Sequence, residues 1–120
     1  MEPIKFKLSP NVIPVVLDGG VNNGVEDMEL FEMTAAARDK YLETLSARMK
    51  LDAQGNVVGV KQYDGLQAAL LSACLRRKKD GVLVPATEIQ SWPAAAVATL
   101  FSAAQKLNRL VQDEAPLKND

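Results

Sequence analysis

The sequence contains no histidine, and that absence excludes more than any other feature of its composition. Histidine is the usual general acid–base and the commonest metal ligand near neutral pH. Without it, Ser-His-Asp and Cys-His catalysis and most zinc sites fall away. Cysteine is nearly as scarce. Cys74 stands alone, so neither an intrachain disulfide nor a multi-cysteine metal site can form. Aromatic residues make up only 5%, so the core has to be aliphatic, built from Leu, Val, Ala and Met. No apolar run approaches the roughly 18 residues of a membrane span. Met1 to Leu8 carries Glu2, Lys5 and Lys7 in place of the continuous apolar stretch of a secretion signal, so a cytoplasmic location is the simplest expectation. The formal net charge of −1 supplies no global field to draw in nucleic acid or an anionic membrane.

What remains is an ordinary globular chain. Its 120 residues, 48% of them hydrophobic, suit one domain that needs no metal or disulfide to stand. Ile4, Phe6 and Leu8 alternate with Lys5 and Lys7, which predicts a short half-buried strand broken by Ser9-Pro10-Asn11. Val12 to Leu17 is a second β-rich run, pushed to a sheet edge or a bulge by Pro14. Asp18-Gly19-Gly20 and Asn22-Asn23-Gly24 are turn signals that together make a long, mobile loop. Glu26 to Met33 alternates again, with Met28 and Leu30 pointing one way, and is expected to pair back on residues 12–17 in a hairpin, a helical start at Glu26 being the alternative.

Thr34 is a natural N-cap for a helix over 35–49, whose apolar stripe is Tyr41, Leu42, Leu45 and Met49. Lys50 to Asp52 and Val57 to Lys61, joined by Ala53-Gln54-Gly55-Asn56, read as a small hairpin. Asp64 is expected to cap a second helix with Leu66, Ala69, Leu70, Ala73 and Cys74 on its inner face and Leu71 and Leu75 beside them. So apolar a helix should be central, ending at the run Arg76-Arg77-Lys78-Lys79 with Gly81 as terminator. Val82 to Val84 reads as extended and Pro85 to Ser91 as one helical turn. Pro93 opens a last helix with the stripe Val97, Leu100, Phe101, Ala104, Leu107 and Val111. The expected fold is α+β, with N-terminal β-hairpins packed against about three main helices. One domain spans 1–111, and 112–120 form a flexible tail.

The candidate chemistry is thin. Arg76 to Lys79 could grip phosphates, but cations in a last helical turn also offset the helix dipole, and no aromatic interleaves with them. Cys74 lies on an apolar helix face with nothing to activate it, and reads as a small core residue. The Gly/Asn loop lacks the Lys-Ser/Thr of a phosphate loop and the alternating acids of a calcium loop. Glu26, Asp27, Glu29 and Glu32 read as a solvated strand face. Trp92, between Ser91 and Pro93, is either a core plug or a binding anchor, and Phe31 and Met33 pose the same question. The candidate partner-binding residues are therefore Phe31, Met33, Trp92, Arg76 and Arg77. No catalytic, metal or cofactor site is expected.

One further signal is the order of short phrases along the chain. Ile4-Lys5-Phe6-Lys7-Leu8 comes first, then Glu29-Leu30-Phe31-Glu32-Met33-Thr34 leading into Arg38-Asp39-Lys40-Tyr41-Leu42. Arg48-Met49, the hairpin with Gly55, and Asp64-Gly65-Leu66-Gln67-Ala68 into Leu70-Leu71 follow. Val84-Pro85, Ile89-Gln90-Ser91-Trp92-Pro93, Leu100-Phe101 and Ala104-Gln105-Lys106-Leu107-Asn108 close the series. In this order the chain resembles the tail assembly chaperones of long-tailed bacteriophages and prophages over most of residues 4–110. The resemblance implies a protein of the host cytoplasm that binds the long, helical tape-measure protein and keeps it soluble. Such a protein helps tail-tube subunits polymerise and then leaves the particle. Many of these families also make a longer product by ribosomal slippage. The resemblance transfers no catalytic motif and fixes no binding residue. Two other readings stay open: a permanent phage particle subunit, such as a head–tail connector or tail completion protein, and a small nucleic-acid-binding regulator using Arg76 to Lys79. An enzyme is the least supported class.

Overall fold

Strand β1, Val12–Asp18, runs antiparallel to β2, Val25–Phe31, in the computed structural model, which describes residues 2–19, 24–60 and 65–110. The register pairs Ile13 with Leu30, Val15 with Met28 and Leu17 with Glu26, so these six share one face. Val12, Pro14, Val16, Asp27, Glu29 and Phe31 share the other. Gly19, at φ +88°, begins the connection, and its N–H donates to the Gly24 carbonyl at 3.0 Å. Gly20 to Asn23 of the expected loop lie outside the described residues.

Helix α1, Ala35–Ala47, starts where expected: the Thr34 hydroxyl accepts the Ala37 N–H at 3.2 Å. It ends two residues before the expected 49, because Met49 opens the hairpin of β3, Met49–Leu51, with β4, Val57–Val60. Tyr41 is buried and Leu45 half-buried, but Leu42 is open to solvent, so the stripe is narrower than its spacing suggests. In the β3–β4 turn the Asp52 carboxylate accepts N–H groups of Gln54 and Asn56, each at 2.9 Å, which holds its pKa below 3.8. Lys61 and the expected cap Asp64 lie outside the described residues.

Helix α2, Leu66–Cys74, is the hub of the fold, as its all-round apolar sequence predicts: it packs against α1, against α3, Ala86–Ile89, and against α4, Ala94–Leu107. Its fully buried residues are Ala68, Leu70, Leu71 and Cys74, while Leu66, Ala69 and Ala73 are half-buried. With neighbours on three sides, no single 100° stripe describes what it buries. From α4 come Val97, Leu100 and Ala104, with Phe101 and Leu107 beside them; Val111 and the tail lie outside the described residues. Each fully buried Leu, Ile or Met contributes roughly 1.5–3 kcal/mol.

Two expectations need correction. The second helix does not run through the basic residues. Leu75 turns extended, at φ −117° and ψ 126°, and Leu75–Arg77 form β5, antiparallel to β2, completing a three-stranded sheet in the order β1-β2-β5. Charges facing the end of a helix contribute about 0.3–1 kcal/mol each. Pairing on β2 buries Leu75 beside Leu30 and sets both arginines against carboxylates, which outweighs that term. Gly81, at φ +72°, accordingly serves a turn in place of a helix end. The chain reverses over residues 78–81 so that Val84 N–H bonds Leu75 O at 3.0 Å and Leu83 bridges Arg76. The second correction is Ile4 to Leu8, which forms no strand: Ile4, Phe6 and Leu8 are 86%, 75% and 88% exposed. Alternation prepares a segment for a sheet edge, but a strand forms only where an edge is paired with it.

Candidate partner-binding surface

The sheet has one covered face and one open face. The covered face presents Met28, Leu30 and Leu75, all buried, to the helices. On the open face lie Val12, Pro14 and Val16 of β1, Val25 and Phe31 of β2, and Leu83 beside β5. Val16 and Val25 are 61% and 66% exposed, and nothing among the described residues covers them. The odd–even rule that buries one set of side chains displays the other.

Charge is organised across this face. Arg76 Nε lies 3.0 Å from Glu29 Oε1, its cross-strand partner, and its guanidinium carbon sits 4.5 Å from the centroid of the Phe31 ring. Carboxylate and aromatic ring thus hold the guanidinium on the open face. Arg77, one residue on, points to the covered side at the end of the core. Its Nη2 meets both carboxylate oxygens of Glu88 at 2.7 Å, its Nε lies 3.2 Å from Glu26, and its Nη1 is buried without a hydrogen-bond partner. The acidic cluster is therefore not a freely solvated face: Glu26 and Glu29 hold the arginines, and Glu32 accepts the Asn11 N–H at 2.7 Å.

Of the five residues singled out from the sequence, the structure brings Phe31 and Arg76 together on the open face. It brings Arg77 and Trp92 together at a cleft of about 610 Å³ that Leu17, Glu26 and Glu88 also line. Trp92 is half-buried against the core and forms a wall of a second cleft of about 510 Å³ with Leu66, Gln90 and Phe101. Met33 stands apart, packed on the core, with its N–H donating to Asn108 Oδ1 at 2.7 Å. It is a joint between β2 and the end of α4.

The five residues miss the valines and Leu83, which make up most of the open apolar face. For the β1 valines the signal was present in Val12-Ile13-Pro14-Val15-Val16-Leu17, a run apolar at every position, which marks a strand apolar on both faces. A second surface was missed as well. At the free edge of β1, a groove of about 750 Å³ runs between Ile13 and the α4 residues Ala98, Thr99, Ser102, Ala103 and Leu107.

Cys74 is fully buried, its Sγ donates to the Leu70 carbonyl at 3.4 Å, and burial pushes its pKa up to about 12. It is a core residue and no nucleophile. Among the described residues no group of His, Cys, Asp or Glu is arranged to hold a metal ion, and no helix is long and apolar enough to cross a membrane. No protein-family model matches the chain, and neither curated proteins nor solved structures yield a match.

Proposed function

We propose that this protein is a tail assembly chaperone: a transient binder that masks the long helical tape-measure protein in the host cytoplasm while tail-tube subunits assemble around it. The observation that carries the reading is the open sheet face, apolar at Val12, Pro14, Val16, Val25, Phe31 and Leu83 and flanked by charge at Asp27, Glu29 and Arg76. An amphipathic helix is the natural cover for such a face, since helix on sheet is one of the few ways to bury a sheet's apolar side. A tape-measure protein offers that helix repeatedly along its length. The resemblance of residues 4–110 supplies the identity of the partner.

The charge arrangement favours this reading over a nucleic-acid regulator. Arg76 and Arg77, half of the basic run, face Glu29, Glu26 and Glu88. Only Lys78 and Lys79 of the run stay exposed, and two lysines are a small footprint for phosphates.

The test is co-expression with the product of a very long helical reading frame lying next to the gene. The reading expects that product to move from the insoluble to the soluble fraction and to co-purify with this protein. If it stays as insoluble as when expressed alone, the chaperone reading fails. Recovery of the chain in purified particles would instead favour a structural subunit.

A further inference from the structure

Ile4 to Leu8 carries the alternation of a strand but pairs with no sheet, and the outer edge of β1 has no partner strand among the described residues. The backbone bonds Glu32 N–H to Asn11 O and Gly19 N–H to Gly24 O, both 3.0 Å, mark the two ends of the β1–β2 ladder. By antiparallel alternation, residues 11, 13, 15, 17 and 19 turn their polar groups toward β2. Val12, Val16 and Asp18 therefore turn both N–H and C=O to the free edge, and Pro14 turns a carbonyl there without losing a ladder bond. Beneath that edge lies the groove between Ile13 and α4, floored by Ala98, Ser102 and Ala103.

We infer that the occupant of this edge is the Ile4–Leu8 segment of a second copy, so that two copies exchange N-terminal strands. Placed beside β1 with Ile4, Phe6 and Leu8 turned inward, the segment fills the groove with three side chains that are otherwise 75–88% exposed. Lys5 and Lys7 then lie on the open side of the sheet, near Asp18 and Asp27. Both aspartates are exposed and neither has an ion-pair partner among the described residues. Reciprocal exchange is an isologous contact and closes at two copies.

The connection argues against the same chain folding back. Asn11 is already committed to β2: its C=O accepts from Glu32 N–H and its N–H donates to Glu32 Oε1 at 2.7 Å. A return over Ser9-Pro10-Asn11 sets Leu8 opposite Val12, the first residue facing the free edge. In that register Ile4, Phe6 and Leu8 go to the open face and Lys5 and Lys7 point into the groove, toward Lys106. A shift of one residue exchanges the two faces, so this three-residue return places charge against charge. A segment arriving from another molecule has no such constraint. This inference does not rest on the proposed function.

The test uses the full chain alone. Sedimentation equilibrium should show a monomer–dimer equilibrium. Phe6→Asp, which alters an exposed side chain outside the core, should raise the dimer dissociation constant about 100-fold or more, as loss of the two buried Phe6 side chains of each dimer implies. The same variant should leave the circular dichroism and melting temperature of the monomer unchanged. Ser102→Glu, on the exposed groove side of α4, should act in the same direction. In a Phe6→Cys, Ser102→Cys double variant, mild oxidation should yield covalent dimers. A fast-migrating cross-linked monomer would place the segment in its own groove and overturn the exchange. A wild-type monomer at all accessible concentrations, or a dimer indifferent to Phe6→Asp, would overturn it as well.

Discussion

The two faces of one three-stranded sheet, separated only by odd and even positions, have opposite fates. On the covered face Met28, Leu30 and Leu75 are essentially inaccessible to solvent. On the open face Val16 and Val25 keep most of their surface in water. Both sets are apolar, so hydrophobicity alone does not decide what becomes core. The helices can cover only one side, and the side they leave is the side a partner can use. In the proposed function, stability and recognition fall to alternate residues of the same strands.

The largest effect should come from the covered face. Leu75→Ala removes a fully buried side chain between β2 and the helices and should cost about 2–5 kcal/mol, measured by urea unfolding. An effect no larger than that of an open-face substitution would break the comparison.

Next is alkaline pH, which tests how well the covered side is sealed. The Cys74 pKa rises from 9.0 to about 12 on burial, so the folded state favours the thiol. The stabilisation is therefore complete below pH 9.0 and is lost as pH climbs toward 12. The slope contributed by this group approaches about 1.4 kcal/mol per pH unit. Cys74→Ala should flatten that slope by the same amount, and native Cys74 should resist alkylation at pH 8.

The adjacent arginines sharpen the contrast at the level of charge. Arg77 is held by two carboxylates, with a side chain only 19% exposed, whereas the Arg76 side chain on the open face is 31% exposed. Arg77→Ala should cost about 1–3 kcal/mol and Arg76→Ala less than about 1 kcal/mol, by thermal melting. Equal costs would mean that the two sides do not differ in how they hold charge. The smallest effect on folding belongs to Val16→Thr, expected within about 0.5 kcal/mol of wild type.

The fold was legible where local chemistry decides it. The Thr34 cap, the pairing of 12–17 with 26–31, the hairpin around Gly55, the central α2 and a last helix opening just after Pro93 all follow from residue type and spacing. It was illegible where long-range pairing decides it. Leu75-Arg76-Arg77 continue an apolar helix in sequence. Only the presence of Glu29 and Leu30 on β2, some 45 residues earlier, converts them to a strand. Ile4 to Leu8 fails for the converse reason: the pattern is right, but no described edge of its own molecule pairs with it. The site follows the same division. Phe31 and Trp92 stand out as rare aromatics, while the open valines of β1 and β2 become a surface only once the covered face is known.

The central claim is that the open face is where the partner binds, and Val16→Asp tests it most directly. Val16 is 61% exposed and lies outside the core, so the variant should melt close to wild type. Co-expressed with the long helical partner, it should leave that partner insoluble where wild type rescues it. A folded Val16→Asp protein that solubilises the partner as well as wild type would contradict the account.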